Sequence, residues 1–132
     1  MAWKYGFFDP VEVEPGVYDR EYNSEEFSRP FSALIDTGVL QGAGGELEVT
    51  ADGISMDTTI ASGIAFINGR FAENIGTVTH THDTESVEVD RIDRIVIRLD
   101  LRPEPRSMES YMKKCVASEN PSPPALQRDQ YV

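Results

Sequence analysis

From residue 46 onward the apolar side chains recur with a period of two. Leu47, Val49 and Ala51 alternate with Glu46, Glu48 and Thr50, and Ile54, Met56 and Ile60 resume the pattern after Asp52-Gly53. A helix cannot use such a pattern, because its faces repeat every 3.6 residues, whereas a strand sends successive side chains to opposite faces. The stretch "SGIAFINGRFAEN" (62–74) places Asn68-Gly69 between two apolar runs. Both central residues of a type I′ turn need positive φ, and Asn-Gly tolerates this best, so the stretch predicts a tight hairpin. Asp52-Gly53 predicts a second one. Ile95, Ile97, Leu99 and Leu101 alternate with Val96, Arg98, Asp100 and Arg102 until Pro103 and Pro105, predicting a half-buried strand. Met108, Ser110, Met112, Lys114 and Val116 continue the alternation, and residues 78–89 predict one or two polar strands. Seven or eight short strands with no intervening helices exclude crossover α/β folds. The chain is therefore expected to be mainly β, an antiparallel β-sandwich or barrel-like domain.

One segment breaks the pattern. In "YNSEEFSRPFSALIDTGVLQG" (22–42), Phe27, Phe31, Leu34 and Ile35 form a helical stripe. Asn23 and Glu26 have capping-box spacing. Pro30 would remove a backbone bond from a continuous helix, so the expectation is a turn over 24–28 and one short amphipathic helix near residues 28–38, capped afresh by Ser28. The stripe is expected to join the core. Trp3, Tyr5 and Phe7 alternate with Lys4 and Gly6 and predict a short strand that packs on the core or on a neighbouring chain. Residues 119–132, "ENPSPPALQRDQYV", have three prolines (Pro121, Pro123, Pro124) and no period. The expected organisation is a β-sandwich domain over 1–118 and a proline-rich C-terminal arm or linker over 119–132. Trp3, Tyr5, Phe7 and the three prolines are the interface candidates.

Chemistry is sparse. Twelve basic against 23 acidic residues leave a net charge of −11, which argues against phosphate-backbone binding and so against a nucleic-acid partner. No apolar run reaches membrane-spanning length, and the start lacks the pattern of a signal peptide, so no membrane insertion is expected. The single Cys115 excludes an internal disulfide, and Lys113 and Lys114 cannot both share its strand face. "GAGG" (42–45) has neither the following helix nor the Gly-Lys-Ser/Thr of a phosphate loop and is expected to be a flexible connector. His80 and His82 are the only histidines, and their i, i+2 spacing places them on one strand face, where they could share a metal ion. Catalytic zinc normally takes three protein ligands, and the oxygens of Glu85, Asp90 or Asp93 would have to come from the fold. The expectation is a solvent-facing or interface pair, with no catalytic, metal or cofactor residue assigned. Asp90, Asp93 and Asp100 interleave with Arg91, Arg94, Arg98 and Arg102, predicting Arg–carboxylate pairs across strands.

The stretches "YGFFDP", "DREYNSEEFSRPFSALIDTGVL", "LEVTADGISM", "SGIAFINGRFAEN", "VDRIDRIVIRLDLR" and "NPSPPALQR" in this order resemble the N-terminal domain of tail-tip and baseplate proteins. These are proteins of siphophages and prophages of Gram-positive bacteria. The chain is similar to the shoulder-type β-sandwich domain that anchors phage receptor-binding proteins. The resemblance covers nearly all 132 positions, and its most specific pieces are 22–31, 67–69 and 90–95. Pro30 departs from it, since an aromatic is more usual there. Longer members continue past "PPALQR", so a sequence ending at Val132 implies a compact accessory member or a shortened chain. The resemblance implies a non-enzymatic structural component of a phage tail tip or baseplate. It would be made in the host cytoplasm and carried on the virion tail, serving host adsorption. It would assemble as a homo-oligomer, trimer or hexamer, with other tail-tip proteins. Two alternatives stay open. One is a host cell-wall saccharide (receptor) binding module using exposed aromatics such as Tyr111 and Tyr131. The other is a metal-dependent hydrolase using His80 and His82.

Overall fold

The architecture follows from the glycine corner at 68–69. In a computed structural model, which describes residues 3–84, 88–129 and 132, Asn68 (φ 49°) and Gly69 (φ 77°) both take positive φ. They close a two-residue turn between β6 (Gly63–Ile67) and β7 (Arg70–Asn74), with Ile67 opposite Arg70. A short strand β3 (Gly38–Val39) pairs with the other edge of β6, giving an antiparallel sheet in the order β3-β6-β7. A second three-stranded sheet has the order β4-β5-β8, from Val49–Ala51, Asp57–Ile60 and Val78–Thr81. The predicted hairpin after Ala51 forms, but it is not a two-residue turn. Ala51 pairs with Thr58, and the loop between them closes on Asp52, whose Oδ1 accepts the N–H groups of Ile54 and Ser55. The aspartate side chain supplies the turn that the backbone alone does not make.

The chain passes from one sheet to the other at Ala61-Ser62, between β5 and β6. Such corners are how strands switch between packed sheets. Asn74 holds this one from the end of β7, donating to the carbonyls of Ile60 (3.3 Å), Ala61 (2.9 Å) and Gly76 (3.2 Å). The glycine-rich segment also belongs to it. Gly45 and Leu47 both donate to the Ser62 carbonyl (2.8 and 3.1 Å), so "GAGG" is packed on the corner and is not the free connector expected. A third sheet has only β9 (Arg94–Asp100) and β10 (Ser107–Lys113), seven residues each and in continuous register from Asp100–Ser107 to Arg94–Lys113. The molecule is mainly β and wholly antiparallel, as the alternation indicated, with ten strands among the described residues where seven or eight were expected. The excess lies in strands of two or three residues, too short to show a period.

The helix corrects two expectations. It runs without interruption from Ser24 to Leu34, so it starts before Ser28 and ends short of Gly38. Asn23 and Glu26 form the complete capping box, Asn23 Oδ1 accepting from the Glu26 N–H (3.0 Å) and Glu26 Oε2 from the Asn23 N–H (3.1 Å). That pair secures the first turn, so Pro30 lies inside the helix and Ser28 instead donates to the Glu25 carbonyl. The apolar stripe does not enter the core either. Phe27, Phe31 and Leu34 are exposed, and the buried helical residue is Ser28. The reason is the turn beneath it. A Cβ on Gly69 would lie 2.0 Å from the Ser28 carbonyl oxygen and 2.8 Å from the Ser32 nitrogen. Only the face carrying the two small serines can approach a turn so closely, and the phenylalanine stripe, rotated from it, faces outward.

The N-terminal expectation also fails. Residues 3–11 form no strand; the first strands are β1 (Glu12–Glu14) and β2 (Val17–Tyr18), a ribbon around Pro15-Gly16. Phe7 takes positive φ (65°), which breaks an extended run, and its ring packs edge-on against Phe27 at 5.9 Å. Tyr22 receives the Phe8 N–H at 3.1 Å. Fully buried apolar residues are few: Ile60 and Ala65 among the described residues. The accessible surface is 10061 Å² for 14.7 kDa. A folded monomer of that mass exposes roughly 6,900 Å².

Candidate functional site

Two places bring polar and titratable side chains together. The first is the seam between the β4-β5-β8 sheet and the β9-β10 pair. His80, on β8, faces β10, with its Nε2 2.9 Å from Ser110 Oγ. His82 lies just past β8. Its Nδ1 is 2.8 Å from Asp93 Oδ2 and its Nε2 3.0 Å from Thr58 Oγ1 on β5. Asp93 also accepts from Arg91 Nε (2.7 Å) and from the Cys115 N–H (3.2 Å). Burial would raise the Asp93 carboxyl, but the Arg91 guanidinium, the His82 ring and the Cys115 N–H outweigh it and hold the group at about 2. Asp93 is therefore ionised, so His82 Nδ1 donates and Nε2 is left to face the Thr58 hydroxyl. Lys114 pairs with Asp83 at 2.9 Å and keeps that carboxyl below its usual range.

The order Thr58–His82–Asp93 is that of a hydroxyl, a base and an orienting acid. Its contacts tie β5 and the residue after β8 to Asp93. Thr58 sits inside a strand paired on both sides, with Ala51 and with His80. The two cavities described below do not include it. The metal alternative meets the same geometry. Both ring nitrogens of His82 are already engaged, so an ion would have to displace Thr58 or Asp93. Among the described residues no three His, Cys, Asp or Glu side chains converge to hold one. Nor do the histidines face solvent: both are half-buried, and they tie β8 to its neighbours. Of the oxygens considered for them, Asp93 does meet His82, Asp90 is bridged through its backbone to Ser118, and Glu85 lies outside the described residues. Thr58 and Ser110 had no local signal in the sequence, since their roles depend on which strands stack.

Among the described residues the Arg–carboxylate pairs form along the chain and not across strands. Arg91 pairs with Asp93 and Arg102 with Asp100, each two residues apart. Asp100 is the most buried side chain described, held at about 2 by the Arg102 guanidinium and N–H, which outweigh burial. Arg98 lies farther from it, at 4.0 Å, with its guanidinium 3.6 Å from the centre of the Tyr111 ring.

That stacked pair is part of the second place, a groove of about 540 Å³ between β9-β10, the β6-β7 turn and the C-terminal segment. Val96, Leu99 and Leu126 are among its apolar lining, and Arg98, Lys113 and Arg128 give its polar lining a cationic character. The buried Nε of Arg98 has no hydrogen-bond partner. Tyr111, proposed as a sugar platform, has one ring face covered by Arg98, while Tyr131 lies outside the described residues. The C-terminal segment reaches the groove after the Cys115 thiol donates to the Ser122 carbonyl (2.7 Å), which leaves Pro123 exposed and Pro121 and Pro124 half-buried. A smaller cleft of about 230 Å³ separates Lys4–Phe7 from the helix near Phe27 and Pro30. Trp3, Tyr5 and Phe7 are exposed by 79, 73 and 66%.

No protein-family model, no curated protein and no solved structure matches the chain. No helix among the described residues is long and apolar enough to cross a membrane.

Proposed function

We propose that the chain is a non-enzymatic structural module of a phage tail tip or baseplate, carried on the virion tail and assembling with itself and with other tail proteins in host adsorption. The observation that carries the assembly is the surface. About 3,100 Å² more is exposed than a folded monomer of this mass presents. Much of it is aromatic and aliphatic: Trp3, Tyr5, Phe7, Phe8, Phe27, Phe31 and Leu34 all stand exposed. Contiguous exposed apolar patches mark interaction surfaces. The placement in a phage tail rests on the ordered motifs from "YGFFDP" to "NPSPPALQR". Light scattering on the purified protein is expected to give a trimer or hexamer, and labelling of virions is expected to place it at the tail tip. A chain that stays monomeric at micromolar concentration and is absent from virions overturns the reading. Binding to host cell walls by the isolated protein would favour the saccharide alternative.

A further inference from the structure

We propose that the N-terminal arm, residues 3–21, of one copy docks in the cationic groove of the next, joining copies head to tail. The inference rests on the self-assembling reading above and names the two surfaces that meet. The arm is unfinished by itself. Its β1-β2 ribbon is exposed on every residue, and an isolated two-stranded ribbon is marginal in water. Val11, Val13, Val17 and Tyr18 are exposed apolar side chains, as are Trp3 and Tyr5. Asp9, Glu12, Glu14, Asp19 and Glu21 against Arg20 leave residues 9–21 with a net charge of −4. Arg20 is taken by Asp19, and no hydrogen bond or ion pair within the described residues engages the carboxylates of Asp9, Glu14 or Glu21.

The groove is the complement. Its apolar lining suits the valines and aromatic rings, while Lys113 and Arg128 carry no ion pair within the described residues and Arg98 keeps an unpartnered Nε. Its one acidic side chain, Asp129, is engaged by the side chain of Gln127 and the N–H of Val132. Opposite charges on apolar ground steer two surfaces together and fix their register. Arm and groove are different surfaces, so the contact is heterologous and closes into a ring when its rotation allows. A head-to-tail protomer buries one surface of each kind.

Two double variants test this on the full chain. Glu14→Lys with Glu21→Lys reverses the arm; Lys113→Glu with Arg128→Glu reverses the groove. None of these four side chains holds the fold through a described bond, and circular dichroism checks that each variant keeps its strands. Each variant alone is expected to self-associate at least about tenfold more weakly. An equal mixture is expected to recover association between the two variants, because the arm of each then meets the groove of the other: an even-membered ring satisfies every contact and a trimer all but one. Trp3, the sole tryptophan, reports independently from the arm. Its emission is expected to shift to the blue as the wild type assembles and to stay unshifted in either variant alone. Wild-type assembly by each variant alone, no recovery on mixing, or an unshifted Trp3 in assembled wild type each overturn the docking while leaving the self-assembling reading intact. A monomeric wild type overturns the reading itself.

Discussion

Replacing Gly69 by alanine isolates the contact that sets how the helix lies on the sheet. The added Cβ would stand 2.0 Å from the Ser28 carbonyl oxygen, 2.8 Å from the Ser32 nitrogen and 2.9 Å from the Ser28 carbonyl carbon. These are backbone atoms, which cannot rotate away as a side chain can. Restoring ordinary contact, near 3.4 Å, requires moving the helix or the turn by more than 1 Å. Forcing such overpacking costs about 1–3 kcal/mol. Alanine at φ 77° adds about 1–2 kcal/mol of backbone strain, so the whole loss is about 2–5 kcal/mol. Gly53 separates the two terms. Its φ is 73°, almost the same, but nothing lies within 4 Å of its Cβ position. Gly53→Ala should therefore lose only the strain, about 1–2 kcal/mol. Urea denaturation of both variants, with unchanged slopes, measures the difference directly. If Gly69→Ala and Gly53→Ala lose the same stability within about 0.5 kcal/mol, the helix does not rest on this turn and the account of its outward-facing phenylalanines fails.

Two further predictions concern the seams. The Asp93 carboxyl is held at about 2, below its ordinary value, so its contribution is fully present above the unfolded pKa near 4 and is lost as pH falls through 2. The wild type should be roughly 1–2 kcal/mol more stable than Asp93→Asn near neutral pH after discounting for solvent, and the gap should close during acid titration; a gap independent of pH would refute the ion-pair account. Asn74→Ala removes the donors from the carbonyls of Ile60, Ala61 and Gly76 and should cost about 1–3 kcal/mol, read as a lower midpoint in thermal melts. A melt unchanged from wild type would mean that the corner does not depend on Asn74.

Each feature readable in the sequence is local. Asn68-Gly69 needs only two φ angles, the capping box only residues 23 to 26, and the alternation from 95 to 101 only the geometry of a strand. Where neighbours far along the chain decide, the sequence was silent or misleading. The stripe of Phe27, Phe31 and Leu34 has the pattern of a core face, yet a glycine turn forty residues later claims the serine face beside it. His80 and His82 have the spacing of metal ligands, yet they meet Ser110, Thr58 and Asp93, which stacking alone brings within reach. Side-chain period and turn chemistry thus determined that this chain is an antiparallel β protein. Only the tertiary structure decided which faces close on one another, because close approach between backbones is a property of two elements and is written in neither one's own period.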